Sequence, residues 1–320
     1  MPAASSIHAD GLERAAAWRR RRTYHHAQYT PARVAQALAG RTVSAIVPTR
    51  ECAATIGGTL APLIELSEEG VIDQLVVVDA GSDDGTPELA AAVGAEVFDE
   101  DSLLSSFGPT LGKGDALWRA LSVARGDLIV FLDADSEDFD ERFPLGLLGP
   151  LTCEVGVRFA KACFRRPFRS GGVDLPDGGG RVTELTARPL LNAFFPELAG
   201  FDQPLAGEIA ASRELLVRVP FTVGYGVETA MLIDIWGEVG LDAMAQADVD
   251  RRQNSHQTLH KLVPMSQAVL QVVALRLQRA ARLGEANLSR LGQPQGETLE
   301  LSERELVERP PLVSVRLDAA

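Results

Sequence analysis

The sequence predicts an α/β protein built on a parallel sheet with helices on both faces. Between residues 41 and 135, strand-length apolar runs alternate with helix-length segments, the order that βαβ units require. Leu128-Ile129-Val130-Phe131-Leu132 is continuously apolar after the turn pair Gly126-Asp127, as a strand covered on both faces must be. Two of the runs stop on carboxylates, at Asp79 and at Asp133-Ala134-Asp135. The C-terminal end of a strand is where an open α/β sheet binds its ligand.

Residues 1–40 read as a helical arm, with Leu12, Ala15 and Ala16 on one helix and Thr30-Pro31 starting a second that reaches Leu38. The arm is expected to pack on the body of the protein or on a partner subunit. Thr42–Val47 is the first strand, closed by Pro48, and a helix follows from about Ala53 to Leu66. Gln74–Asp79 is the second strand. Its turn, Gly81-Ser82-Asp83-Asp84-Gly85-Thr86, lets the backbone approach a nucleotide closely before a helix begins at Pro87. Ala95–Phe98 is a short third strand, and Leu111-Gly112-Lys113-Gly114-Asp115 opens a helix, Ala116–Ala124, that leads into the fourth. These elements make up a first half, residues 41–150.

The pattern changes in the second half, residues 151–260. Val157–Phe164 reads as a strand, and Ser170–Gly180 holds too much glycine for a packed element. That loop ends at Arg181-Val182-Thr183-Glu184, the start of an apolar helix through Phe195, and a helix N-terminus with an arginine is a ready anion site. Gly207–Ser212 is a strand with a helix after Arg213. Gly224-Tyr225-Gly226-Val227-Glu228 opens another apolar helix and leaves Glu228 in the first turn, where the helix dipole stabilises a carboxylate. Leu241–Asp248 is expected as the last strand and Arg251–His256 as a polar loop. Residues 261–320 supply the amphipathic helix Pro264–Leu283 and an acidic tail after Glu285 that is expected to be poorly ordered.

Composition excludes several classes. A net charge of −13 argues against general nucleic-acid binding, and the run Arg19-Arg20-Arg21-Arg22 reads as a solvated helix face. An anionic substrate must therefore find a local cationic pocket. No apolar run approaches the roughly 18 residues that span a membrane, and residues 1–22 lack the apolar core of a signal peptide, so a cytoplasmic protein without membrane contact is expected. Cys52, Cys153 and Cys163 are odd in number and widely spaced, which argues against a disulfide framework or a structural zinc site.

Asp133 and Asp135 point to one side of the chain if it is still extended there. Two such carboxylates make a hard oxygen site suited to Mg²⁺ or Mn²⁺, which in turn can hold a diphosphate. A short Asp-x-Asp is also compatible with a solvated acidic turn. The order of strand ends resembles the nucleotide-sugar half of GT-A glycosyltransferases, a Rossmann-like mixed sheet flanked by helices, here with helical N- and C-terminal extensions. The resemblance extends through Gly179-Gly180-Arg181-Val182-Thr183-Glu184-Leu185, Ala187-Arg188-Pro189-Leu190-Leu191, Pro204-Leu205-Ala206-Gly207-Glu208 and Gly224-Tyr225-Gly226-Val227-Glu228 to the glucosyl-3-phosphoglycerate synthases. It runs from about Arg41 to Gln267. That family, close to the mannosyl-3-phosphoglycerate synthases, is retaining and metal-dependent.

The resemblance implies roles residue by residue. Pro48, Thr49 and Glu51 would wall the uracil and ribose, with Asp79 reading the base beside Gly81 and its turn. Lys113 would meet the diphosphate, Asp133 and Ala134 the ribose and diphosphate, and Asp135 the metal. Glu228 would hold the sugar hydroxyls, while Gly180, Arg181 and Thr183 would hold the acceptor phosphate. Where the family has an Arg-x-His-x-Asn segment, this chain reads Arg252-Gln253-Asn254-Ser255-His256, as if Asn and His had exchanged places. An imidazole is the better Mn²⁺ ligand, so His256 is favoured over Asn254 for the metal. The implied activity is transfer of glucose from UDP-glucose to the 2-hydroxyl of 3-phosphoglycerate; the apolar surface of the helix Pro264–Leu283 and of the N-terminal arm separately predicts a homodimer. The alternatives are mannose transfer from GDP-mannose, and a noncatalytic nucleotide-sugar-binding protein on the same fold.

Overall fold

The computed structural model describes residues 4–170, 173–175, 179–253, 258–283, 290–295, 298–303 and 306–315. Its centre is an eight-stranded sheet in the order β1-β11-β6-β9-β5-β2-β3-β4. The strands are β1 (Thr23–His25), β2 (Val43–Thr49), β3 (Gln74–Asp79), β4 (Glu96–Asp99), β5 (Leu128–Phe131), β6 (Phe159–Arg165), β9 (Ile209–Ser212) and β11 (Met244–Arg251). All neighbours run parallel except β9, which is antiparallel to both β5 and β6. The C-terminal ends of β2, β3, β5, β6 and β11 therefore share one edge of the sheet with the N-terminal end of β9.

Side-chain alternation along the strands divides the interior in two. Ile46, Val76, Val78, Ile129, Phe131 and Phe159 face one core, into which α5 (Lys113–Ala120), α9 (Val227–Val239) and α10 (Leu259–Arg279) also pack. Ala45, Val47, Val77, Val130, Leu132 and Ala160 face the other, shared with α2 (Pro31–Leu38), α3 (Ile56–Glu68) and α6 (Arg142–Cys153). β5 is buried at all four positions, as its continuous apolar run requires. The remaining helices are α1 (Ala4–Arg22), α4 (Thr86–Ala92), α7 (Arg188–Phe194) and the single turn α8 (Arg213–Leu216).

Some expectations are met and others corrected. β2 runs through Pro48 to Thr49 instead of closing at Pro48. The ladder with β5 ends at Ile46 and Phe131, and Leu132 N donates to the Ile46 carbonyl on that side, so the missing N–H of Pro48 falls where pairing has already stopped. The N-terminal arm packs on the body: Trp18 is fully buried, donates Nε1 to the Met244 carbonyl at 2.8 Å, and lies 4.4 Å from the Phe201 ring. Its end also adds β1 to the sheet edge. Arg19 and Arg21 of the basic run pair with Asp202 and Asp242. The glycine-rich stretch includes a small antiparallel hairpin, β7 (Phe168–Ser170) and β8 (Val173–Leu175).

β11 is not the last strand. β12 (Arg290–Gln295) and β13 (Thr298–Glu303) form a hairpin, and β14 (Glu308–Arg309) pairs with β10 (Phe221–Thr222). The end of the tail is docked, with Leu312 buried, because Glu308 and Arg309 carry charges that two helices, α10 and α5, compensate. Composition alone reads such charges as solvated.

Candidate active site

The shared strand edge collects the predicted residues from elements far apart in sequence. Along its β2–β3 side, the two loops are stitched by short-range bonds. Asp79 is buried; Oδ1 accepts from Thr49 Oγ1 at 2.8 Å and Ser82 Oγ at 2.7 Å, and Oδ2 accepts from Ser82 N at 2.7 Å. A carboxylate has about four lone-pair sites, so most of Asp79 is engaged in shaping this loop. Glu51 sits at φ 53°, a left-handed conformation uncommon for a non-glycine residue. Its N–H donates to Ser82 Oγ at 2.8 Å and its carboxylate accepts from Asp83 N at 3.0 Å. Gly81 supplies the positive φ of 68° in the opposing turn. Pro48 and Thr49 end β2 beside these stitched loops.

β5 ends at Phe131, and Ala134 and Asp135 already belong to a turn, so extended geometry does not align the two aspartates. Arg252 aligns them instead. One guanidinium nitrogen, NH2, reaches Asp133 Oδ2 at 3.2 Å and Asp135 Oδ1 at 2.8 Å; NH1 lies 2.6 Å from Glu208 Oε1, and Nε donates to Ser136 Oγ at 2.9 Å. On the other side, Lys113 Nζ contacts Asp133 Oδ1 at 2.5 Å and Glu228 Oε1 at 3.1 Å. Gly207 closes over this cluster. A Cβ there would lie 2.3 Å from Lys113 Nζ and 2.6 Å from Asp133 Oδ2, so a larger residue would have to push this ion pair aside.

The electrostatics follow from burial among opposite charges. Burial opposes ionisation of Asp133, yet Lys113 and Arg252 override it and hold its carboxyl well below the usual range. Burial likewise opposes the charges of Lys113 and Arg252, and Asp133 with Glu228 or Glu208 raises both above their ordinary values. Glu208 is shifted upward, burial outweighing Arg252. Lys161, 1% exposed, is pushed down to about 8 by burial against the pull of Glu228 and Glu208, and donates to the Ala206 carbonyl at 2.5 Å.

Asp135 differs from its neighbour. Its side chain is 58% exposed against 16% for Asp133. An accessible carboxylate beside charge-balanced partners suits Mg²⁺ or Mn²⁺, which take one or two carboxylates together with substrate phosphates. Asn254 and His256, expected to complete the metal site, lie outside the described residues. Among the described residues, the three-ligand group is elsewhere, at His25, His26 and Asp250. There His25 Nδ1 accepts from Ala27 N at 3.2 Å, which leaves the proton on Nε2, directed at Asp250. This reads as a hydrogen-bonded turn and not as a metal centre.

At the end of the glycine-rich stretch, Gly180 has φ 71° and Arg181 begins the helix; Thr183 is buried in a π-helical segment, Thr183–Ala187, ahead of α7. π segments recur at functional sites. Gly179 N donates to the Arg166 carbonyl at 2.9 Å, and burial together with the neighbouring Arg252 lowers the guanidinium of Arg166. Arg166 thus links the segment at Gly179 to the neighbourhood of Arg252, Glu208 and the aspartates.

Glu208, Lys161 and Arg166 were missed as site residues. A lysine inside the apolar run Phe159–Phe164 was the available signal. Glu208 closes the quoted segment Pro204-Leu205-Ala206-Gly207-Glu208, but the start of a strand lies at the wrong edge of a parallel sheet, and only the reversed direction of β9 brings it here.

Comparison with known proteins agrees with this geometry. Residues 44–147 match the model of glycosyl transferase family 2. A glucosyl-3-phosphoglycerate synthase of Mycolicibacterium smegmatis is 40% identical over 305 residues, covering 93% of this chain and 98% of the relative. The crystal structure of mannosyl-3-phosphoglycerate synthase from Rubrobacter xylanophilus superposes with TM-score 0.87 at 48% identity, covering 94% of this chain and 99% of that one. Glucosyl-3-phosphoglycerate synthase from Mycobacterium tuberculosis, solved with Mn²⁺, UDP-glucose and phosphoglyceric acid, superposes with TM-score 0.81 at 38% identity, covering 92% and 99%. With similarity sustained over nearly the whole length, in sequence as in fold, the chain belongs to the glucosyl-3-phosphoglycerate synthase family.

Proposed function

We propose that the protein transfers glucose from UDP-glucose to the 2-hydroxyl of 3-phosphoglycerate with retention at the anomeric carbon. The observation that carries this reading is the exposed Asp135 carboxylate beside the Lys113–Asp133–Arg252 lattice, in a chain 38% identical to an enzyme solved with Mn²⁺, UDP-glucose and phosphoglyceric acid. Asp135 and His256 would hold the divalent metal. When bound, such an ion neutralises charge on the departing diphosphate, a contribution of several kcal/mol.

The chain's own groups do the rest. The loops at Pro48–Glu51 and Asp79–Gly81 wall the uridine, and Asp133 and Ala134 face the ribose. Lys113, a compact charge on a flexible stem, exchanges part of its contact with Asp133 for the diphosphate and keeps Glu228. Arg181, with Gly180 and Thr183, binds the acceptor phosphate through charge-assisted bonds. A carboxylate already paired to Lys113 at 3.1 Å is a poor nucleophile, which supports Glu228 as a clamp on the sugar hydroxyls and attack by the acceptor from the leaving-group face. Exposed Leu259 and Leu270 on α10 favour a homodimer, checked by light scattering.

A second reading, mannose transfer from GDP-mannose, is favoured by the 48% identity to the Rubrobacter enzyme. Assay of both sugar nucleotides against 3-phosphoglycerate and glycerate, with product identification by NMR, separates the two. The expected product is α-glucosyl-3-phosphoglycerate. Failure of both donors with 3-phosphoglycerate would leave the noncatalytic binding protein.

A further inference from the structure

We propose that Arg309, near the C-terminus, is a positioning residue that sets Lys113 against Glu228. The proposal rests on the reading above that these two side chains meet the donor. Lys113 begins α5, and Asp115, two residues later, has no solvent exposure. Arg309, 194 residues away, grips Asp115 with both ends of its fork: Nε on Oδ1 at 2.8 Å and NH2 on Oδ2 at 2.6 Å. Asp115 Oδ2 also accepts from Leu111 N at 2.9 Å, so the carboxylate that Arg309 holds fixes the loop leading into Lys113. NH1 of Arg309 donates to the Phe107 carbonyl at 3.0 Å, and its guanidinium lies 5.7 Å from the Phe107 and Trp118 rings.

The same two-residue strand holds the other partner. Arg309 pairs with Phe221 and Glu308 with Thr222 across β14 and β10, and Val223 N donates to the Val307 carbonyl at 3.0 Å. β10 leads directly into Gly224-Tyr225-Gly226 and the first turn of α9, which carries Glu228. Glu308 is anchored in turn by Arg276 of α10 at 2.5 Å. α5 and β10 also meet backbone to backbone, since a Cβ on Gly114 would lie 1.9 Å from the Thr222 carbonyl oxygen. One strand thus fixes the start of α5 and the start of α9, the two ends of the Lys113–Glu228 contact. A bidentate arginine supplies direction as well as charge, which a lysine cannot copy.

A buried ion pair can also serve stability alone, so the test reads the two substrates separately. Arg309→Lys keeps the charge and loses the fork; Arg309→Met removes both. Misplacement of a charged pair by an ångström costs up to roughly 100-fold. Arg309→Lys should raise the KM for UDP-glucose and lower kcat, each by about tenfold, while the KM for 3-phosphoglycerate stays within about twofold. Arg309→Met should show the same split with a larger loss. Arg309→Lys with wild-type kcat and donor KM would overturn the proposal, as would an equal rise in both KM values. If Arg309→Met does not fold, Arg309→Lys decides alone. A calorimetric Kd for UDP-glucose with Mn²⁺ reads the donor side without turnover, so the tether and the proposed reaction can fail independently.

Discussion

Asp79 closes β3 and Asp133 follows the end of β5 at the same edge of one sheet, yet they are held in opposite ways. Asp79 accepts from a hydroxyl on the adjacent strand end and from a serine three residues ahead, so its environment is neutral and mostly local. Asp133 lies between Lys113 and Arg252, separated from it by 20 and 119 residues, and shares them with Glu228, Glu208 and Asp135. The β2–β3 side of the site is thus shaped by hydrogen bonds among two neighbouring strand ends and their loops. The β5–β9 side is a charge lattice that exists only when distant elements meet. Damage to the first should stay local, and damage to the second should spread.

The largest effect expected from this contrast is at Arg252. Arg252→Met leaves Asp133 and Glu208 without their shared buried cation, and breaking such a pair costs about 3–5 kcal/mol. Chemical denaturation should show that loss together with abolished activity; unchanged stability would mean that the lattice is not a unit. Asp135→Ala, at an exposed position, should instead keep the fold and lose turnover by on the order of 10³-fold. Full activity of the native protein in EDTA would contradict the role given to Asp135. Asp79→Asn keeps the shape and most acceptors, so it should cost about 1–2 kcal/mol and raise the KM for the donor more than that for the acceptor. A collapse comparable to Arg252→Met would erase the distinction between the two sides.

The smallest effect concerns Glu100, beside the loop that Arg309 braces. Burial, with Asp101 and Asp115 nearby, pushes its carboxyl up to about 7 from an ordinary 4.5. The folded protein therefore holds this proton more tightly than the unfolded chain, and stability falls as pH rises from about 4.5 through about 7. Glu100→Gln should raise Tm by about 1–3 °C at pH 8 and leave it unchanged at pH 4. An equal gain at both pH values would assign the effect to packing instead of charge.

The sequence by itself determined what depends on neighbours along the chain. The alternation of apolar runs with helices, the full burial of β5, the turn after Asp79 and the place of Glu228 in a first helical turn follow from local periodicity and turn chemistry. The family resemblance also drew on contiguous segments. Tertiary structure decided the rest. The antiparallel course of β9 delivers Glu208 to an edge where a parallel sheet would have no strand start. A single guanidinium, and not the pleat, gathers Asp133 and Asp135. The acidic tail returns to lock Asp115 through Arg309. The physical reason is common to all three: a buried charge is tolerable only beside its opposite, and that partner is chosen by where the chain folds back, which no local pattern records.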